Sequence, residues 1–217
     1  EHMLFKGTRK RSALQIAKEI DALGGVLNAQ TAKEYTVYYT RVLDEHLDKA
    51  ADILFDLFLN AELDPGELEK EKNVVFQEIR MTEDTPDDHV TDLFAEAFFP
   101  TSPLGVPILG TSASVGSFTR EQVAEFISSF YTPSSIVIAA VGNLDHDELV
   151  VLVKPRFEVL PAGAEARLEA GAVSGNGGIK VFTKDIEQVH ITLGTTGASM
   201  LDERRWSYIV LNTMLGG

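Results

Sequence analysis

The first eight residues, Glu1–Thr8, read EHMLFKGT, and a second stretch, Glu71–Met81, reads EKNVVFQEIRM. An adjacent Glu-His followed by an apolar run is half of a metal-and-base arrangement, but two residues at a chain start also suit a solvated end. The second stretch carries Glu71 and Glu78 seven residues apart. That is close to two helical turns, so both carboxylates fall on one side of a helix, about 10 Å apart along its axis. Val74 and Val75 lie between them, with Phe76 and Ile79 alongside. A carboxylate beside such an apolar stretch risks burial, and burial demands a partner, a proton or a metal. Alone, either stretch reads as ordinary surface; the two together pose the question of a split site.

Composition narrows the possibilities. The chain has 217 residues, 44% of them hydrophobic, enough to bury one large core or two smaller ones. It has no cysteine, which removes disulfides and thiolate ligands and leaves histidine and carboxylates as the strong metal donors. Its formal charge of −14 excludes nucleic acid as an expected partner, because phosphate binding needs clustered Lys and Arg. No run approaches the ~20 apolar residues of a membrane span, so no membrane association is expected.

Moving outward from the opening, Ala13, Ile16, Ala17 and Ile20 keep helical spacing behind a Ser12 cap, with Gly24-Gly25 as the stop. VLNAQT and EYTVYYTRV form a hairpin pattern. Asp44 is the expected cap of a second helix, with Leu47, Ala50, Ala51, Leu54, Leu57 and Phe58 on one face. Asp64-Pro65 opens a third, running to about Met81. EDTPDD breaks it, VTDLFAEAFF resumes as helix, and residues 100–116 read as loop. Thr119 and Gln122 have capping-box spacing for a helix to Tyr131. SSIVIAAVG has strand length, and the acid-rich LDHDELVVLV begins another helix. The Ala-, Gly- and Glu-rich stretch over 163–178 reads as a linker. IKVFTKD and QVHITLG then read as strands, and RRWSYIVLNTMLGG as a helix. The fold class is α+β, with domains over 1–162 and 179–217. The second is too short to stand alone, so truncation at both ends is expected.

Taken in order, EHMLFKGT, LGGVLNAQTAKEYTVYY, EKNVVFQEIRM, PLGVPILGT, FYTPSSIVIAAVGNLD, KDIEQVHITLG and LNTMLGG resemble the inverted-motif zinc peptidases of the pitrilysin family, which includes insulin-degrading enzyme and the mitochondrial processing peptidase. That family's motif is H-x-x-E-H with a glutamate about 76 residues beyond its second histidine, and Glu78 lies 76 residues beyond His2. The resemblance covers essentially the whole chain. It implies a mainly antiparallel sheet with helices on one side, the first domain of a duplicated fold.

The resemblance also implies roles. His2 and Glu78 would be zinc ligands, Glu1 the general base, and Glu71 an outer carboxylate supporting the site. Asn28-Ala29 would lie on a strand edge that pairs with substrate backbone; on its own pattern, Asn28 is equally a hairpin residue near a turn. Zn2+ is the implied cofactor and peptides or unfolded segments are the implied substrates. A homodimer, or a heterodimer with a related subunit, is the implied assembly, in a bacterial cytoplasm or else a mitochondrial matrix. The motif's first histidine would stand three positions before Glu1, which this sequence does not contain. The chain as given is therefore expected to hold zinc weakly and to hydrolyse nothing. The family's substrate-anchoring Arg and Tyr would lie beyond residue 217. The rival reading is a non-catalytic homologue acting as scaffold or substrate-binding subunit, against which Glu1, His2 and Glu78 together argue. His46, His89 and His146 sit in acidic helix starts and read as solvated, and His190 as a structural histidine within a strand. Trp206 and Tyr208 are expected at a core or interface.

Overall fold

A computed structural model describes residues 1–160 and 175–216. Most of the linker reading over 163–178 therefore lies outside the described residues. The chain packs as two units. Within the described residues, one comprises 1–80 with 108–160 and the other 81–107 with 175–216.

The first unit is built around the opening motif. Residues His2–Lys6 form a 3₁₀ helix, whose Met3 and Leu4 are buried. Gly7 ends it at φ 133°, a backbone conformation that favours glycine, and the chain returns as a bridge between Gly7 and Ser12. Helix α1 (Ala13–Ala22) starts on the expected Ser12 cap, with Gln15 completing a reciprocal capping box. The hairpin follows as β1 (Val26–Thr31) and β2 (Thr36–Arg41), antiparallel in the register Leu27↔Thr40, Ala29↔Tyr38 and Thr31↔Thr36. Period-two alternation turns Leu27 and Tyr38 to one face. They pack there on Leu4, Ile16, Ile20, Ile53 and Leu57, so α1 and α2 (Leu47–Asn60) cover one side of the hairpin. A second cluster joins Met3 to Leu63 and Leu68, closed by Val123, Ala124 and Ile127.

Helix α3 (Pro65–Asp84) carries Glu71 and Glu78. Its start is as expected, with Asp64 Oδ1 accepting from the Glu67 N–H at 2.9 Å. After α4 (Pro86–Phe98) come α5 (Ser112–Ser117), α6 (Arg120–Phe130) and α7 (His146–Phe157). The cap of α6 is the Thr119–Gln122 box. The second unit holds α4, a 3₁₀ turn at Pro103–Gly105, a stretch without regular secondary structure, and α8 (Arg205–Leu215). There the Asn176 N–H donates to the Phe98 carbonyl at 2.8 Å, and His190 Nδ1 meets Asp87 Oδ1 at 2.7 Å.

The chain is α+β and its paired strands are antiparallel. Several elements differ from their sequence readings. SSIVIAAVG, IKVFTKD and QVHITLG are not in a hydrogen-bonded ladder among the described residues. Their alternation sets side-chain direction, but a strand also requires a neighbour to pair with. Val137, Ile179, Val189 and Leu193 are accordingly exposed. The 100–116 loop holds α5, capped by Thr111 with Ser114, a six-residue helix too small and polar to show apolar periodicity. Helix α4 starts at Pro86 rather than Val90, because proline suits the first helical position. Asp44 opens a 3₁₀ turn (Asp44–His46) ahead of α2 instead of capping that helix directly. Trp206 and Tyr208 are exposed among the described residues, with the Arg205 guanidinium 4.5 Å from the Trp206 ring centroid.

Candidate metal centre

Glu1 and His2 sit at the start of the 3₁₀ helix, held in place because Met3 and Leu4 are fixed in the two apolar clusters behind them. Across from them, α3 presents Glu71 from a buried position. His2 Nδ1 lies 2.9 Å from Glu71 Oε2, and Lys6 Nζ lies 2.6 Å from Glu71 Oε1. One carboxylate is thus gripped at both oxygens by two side chains of the same short helix. Burial alone would raise the Glu71 carboxyl above its usual range. The hydrogen bonds and charges of Lys6 and His2 outweigh it and hold the group below the ordinary value. An ionised carboxylate only accepts, so Nδ1 of His2 carries the proton in this bond.

In the neutral tautomer with that proton on Nδ1, Nε2 carries the lone pair. Nε2 is 3.9 Å from Glu78 Oε2, beyond hydrogen-bond reach. Glu78 is about one-third exposed, against one-tenth for the Glu71 side chain, so the two carboxylates of α3 have different surroundings. The Glu1 carboxylate is held through Oε2, which accepts from Thr31 Oγ1 at the end of β1. Glu1, His2, Phe5, Lys6, Leu27, Asn28 and Glu71 line a cavity of about 200 Å³. A larger cavity of about 750 Å³, in the second unit, is lined by Val90, Leu93, Phe94 and Phe98 and includes none of the site residues expected from sequence.

Glu1, His2 and Glu71 meet at the smaller cavity, and Glu78 approaches His2 from α3. Asn28 reaches the cavity, where its Oδ1 accepts from the Ala29 N–H at 2.9 Å. Ala29 lies in register with Tyr38 on the half-buried face and contributes no lining atom. The outer edge of β1 has no strand partner among the described residues. Lys6 and Thr31 were missed by the sequence reading. No local spacing signals Lys6, whose 3₁₀ helix does not set i and i+4 on one face, and only the hairpin register places Thr31 beside Glu1.

The donor types suit zinc as far as they extend: one imidazole nitrogen that the Glu71 bond leaves unused and one partly exposed carboxylate. A catalytic zinc takes three protein ligands, and among the described residues no group of three or more His, Asp or Glu is placed to hold a metal.

Residues 1–112 match the insulinase family (Peptidase family M16), and residues 117–217 match the Peptidase M16 inactive domain. Over the whole chain, a Streptomyces coelicolor protein named an uncharacterized zinc protease is 44% identical, with 49% of its own length covered. A Bacillus subtilis protein of the same description is 42% identical, with 53% covered. The chain therefore spans about half the length of these curated relatives. Among solved structures, a protease from Helicobacter pylori superposes with a TM-score of 0.72 at 24% identity, over 81% of this chain and 42% of that one, a likeness of fold.

Proposed function

Because the chain belongs to the insulinase family of peptidases (M16), we propose that it is part of a zinc-dependent endopeptidase acting on peptides or unfolded segments. The observation that carries the proposal is the His2–Glu71 bond. It fixes the ring so that Nε2, rather than Nδ1, is offered toward Glu78. His2 and Glu78 would supply two of the metal's protein ligands. A catalytic zinc takes a third protein ligand besides these two. Bound there, zinc would supply a Lewis acid for the scissile carbonyl and acidify the attacking water. Glu1, with Oε2 engaged by Thr31, would take that water's proton on Oε1 and return it to the leaving amine. The unpaired edge of β1 would hold substrate backbone near Asn28 and Ala29, giving binding that depends little on side-chain sequence.

The domains over 1–162 and 179–217, a dimeric parent and a cytoplasmic location belong to the same proposal. The bacterial relatives support a bacterial origin. No helix among the described residues is long and apolar enough to cross a membrane. The match of residues 117–217 to an inactive domain fits the placement of every proposed catalytic group before residue 79.

The test is Glu1→Gln in the full-length protein, assayed on an unfolded peptide with zinc content measured in parallel. The expected result is a kcat lower by about 10²-fold or more, with zinc retained and KM little changed. Cleavage at the wild-type rate would overturn the role of Glu1, and no cleavage by the wild type would overturn the peptidase reading.

A further inference from the structure

Lys6 is the one cation on the short helix that carries Glu1 and His2 and contacts Glu71. Glu71 is buried, and its two oxygens are divided between Lys6 and His2, at 2.6 Å and 2.9 Å. A glutamate has three rotatable bonds and loses substantial conformational freedom when ordered. A contact at one oxygen alone leaves its carboxylate free to rotate about the last of them. Contacts at both oxygens fix the plane, and the plane sets the direction from which His2 Nδ1 must approach. Lys6 and His2 are four residues apart on a helix of about three residues per turn, so their side chains reach Glu71 from displaced positions instead of competing for one oxygen. The amine also neutralises a carboxylate that would otherwise be buried with a single partner.

We propose that Lys6 is a positioning residue for the metal site: it fixes the Glu71 carboxylate, which in turn orients the His2 ring toward the metal. Lys6 makes no bond to the metal and takes no part in proton transfer. This rests on the zinc-peptidase reading above, and it extends the support of the metal site from one outer residue to two linked ones.

The experiment compares the full-length wild-type protein with Lys6→Met and Lys6→Arg. Zinc affinity is read by competition with a chromophoric chelator, and folding by the thermal transition of each metal-free protein. Outer-shell partners of zinc ligands typically control metal affinity by about 10–100-fold. Lys6→Met, which keeps the aliphatic stem and drops the charge, is expected to weaken zinc binding by that factor. Lys6→Arg, which can still donate to Glu71 Oε1, should stay within a few-fold of wild type. Zinc binding by Lys6→Met as tight as or tighter than wild type overturns the positioning role. Equal weakening in both variants also overturns it, because a lost fold rather than a lost contact would then be responsible. If the wild-type protein binds no zinc, the peptidase reading itself fails, a result distinct from a variant that matches a zinc-binding wild type.

Discussion

Thr8, Arg11 and Asn60 all donate to the carboxylate of Asp56, at 2.6 Å, 2.9 Å and 2.7 Å. The Thr8 hydroxyl also accepts from the Lys10 and Arg11 N–H groups, so Asp56 ties the turn after the opening 3₁₀ helix to α2. Burial alone would raise the Asp56 carboxyl, but these three donors and the Arg11 charge outweigh it and hold the group below its usual value. A carboxylate depressed in the folded state adds stability that is present above its unfolded value and is lost as pH falls through the folded one. Asp56→Asn should therefore cost about 1–3 kcal/mol at neutral pH, read from the urea midpoint. Below about pH 4 the gap to wild type should narrow as the native carboxylate takes up a proton. A gap that stayed constant or widened in acid would contradict a depressed Asp56 carboxyl in the native protein.

At the scale of elements, the site is held by a short 3₁₀ helix whose own hydrogen bonds are few and whose position comes from its neighbours. Met3 is enclosed by Leu63, Leu68 and the apolar side of α6. Helix α6 depends in turn on its start, where Thr119 Oγ1 accepts from the Gln122 N–H at 3.3 Å and Gln122 Oε1 accepts from the Thr119 N–H at 2.9 Å. Thr119→Ala should lower stability by about 1 kcal/mol, and Thr119→Ser should preserve it, measured by chemical denaturation. The cap was legible because S/T-x-x-Q is a local signal. Helices α1, α3 and α6 and the hairpin were legible for the same reason, since caps and apolar period are both written in neighbouring residues. The strand readings at SSIVIAAVG, IKVFTKD and QVHITLG rested on an apolar run or on alternation, and neither carries information about a pairing partner. Helix α5, six residues rich in Ser, Ala and Gly, has too little apolar contrast to register in such a reading.

For the molecule as a whole, sequence spacing brought together residues that local pattern could not. The 76-residue interval from His2 to Glu78 has meaning only against a family motif, and the fold places the two side chains 3.9 Å apart at their nearest polar atoms. The division of Glu71 between His2 and Lys6 was not legible, because it depends on which rotamers meet across two elements. Nor was the Thr31 bond to Glu1, which needs the hairpin register. Whether His2 and Glu78 hold a metal is read from the zinc content of the protein. The full-length protein, purified without added metal and dialysed against buffer, should retain about one zinc per chain, and Glu78→Gln should lose it while keeping its fold. A folded wild-type protein without zinc, or a Glu78→Gln variant that retains it, would show that this pair holds no metal.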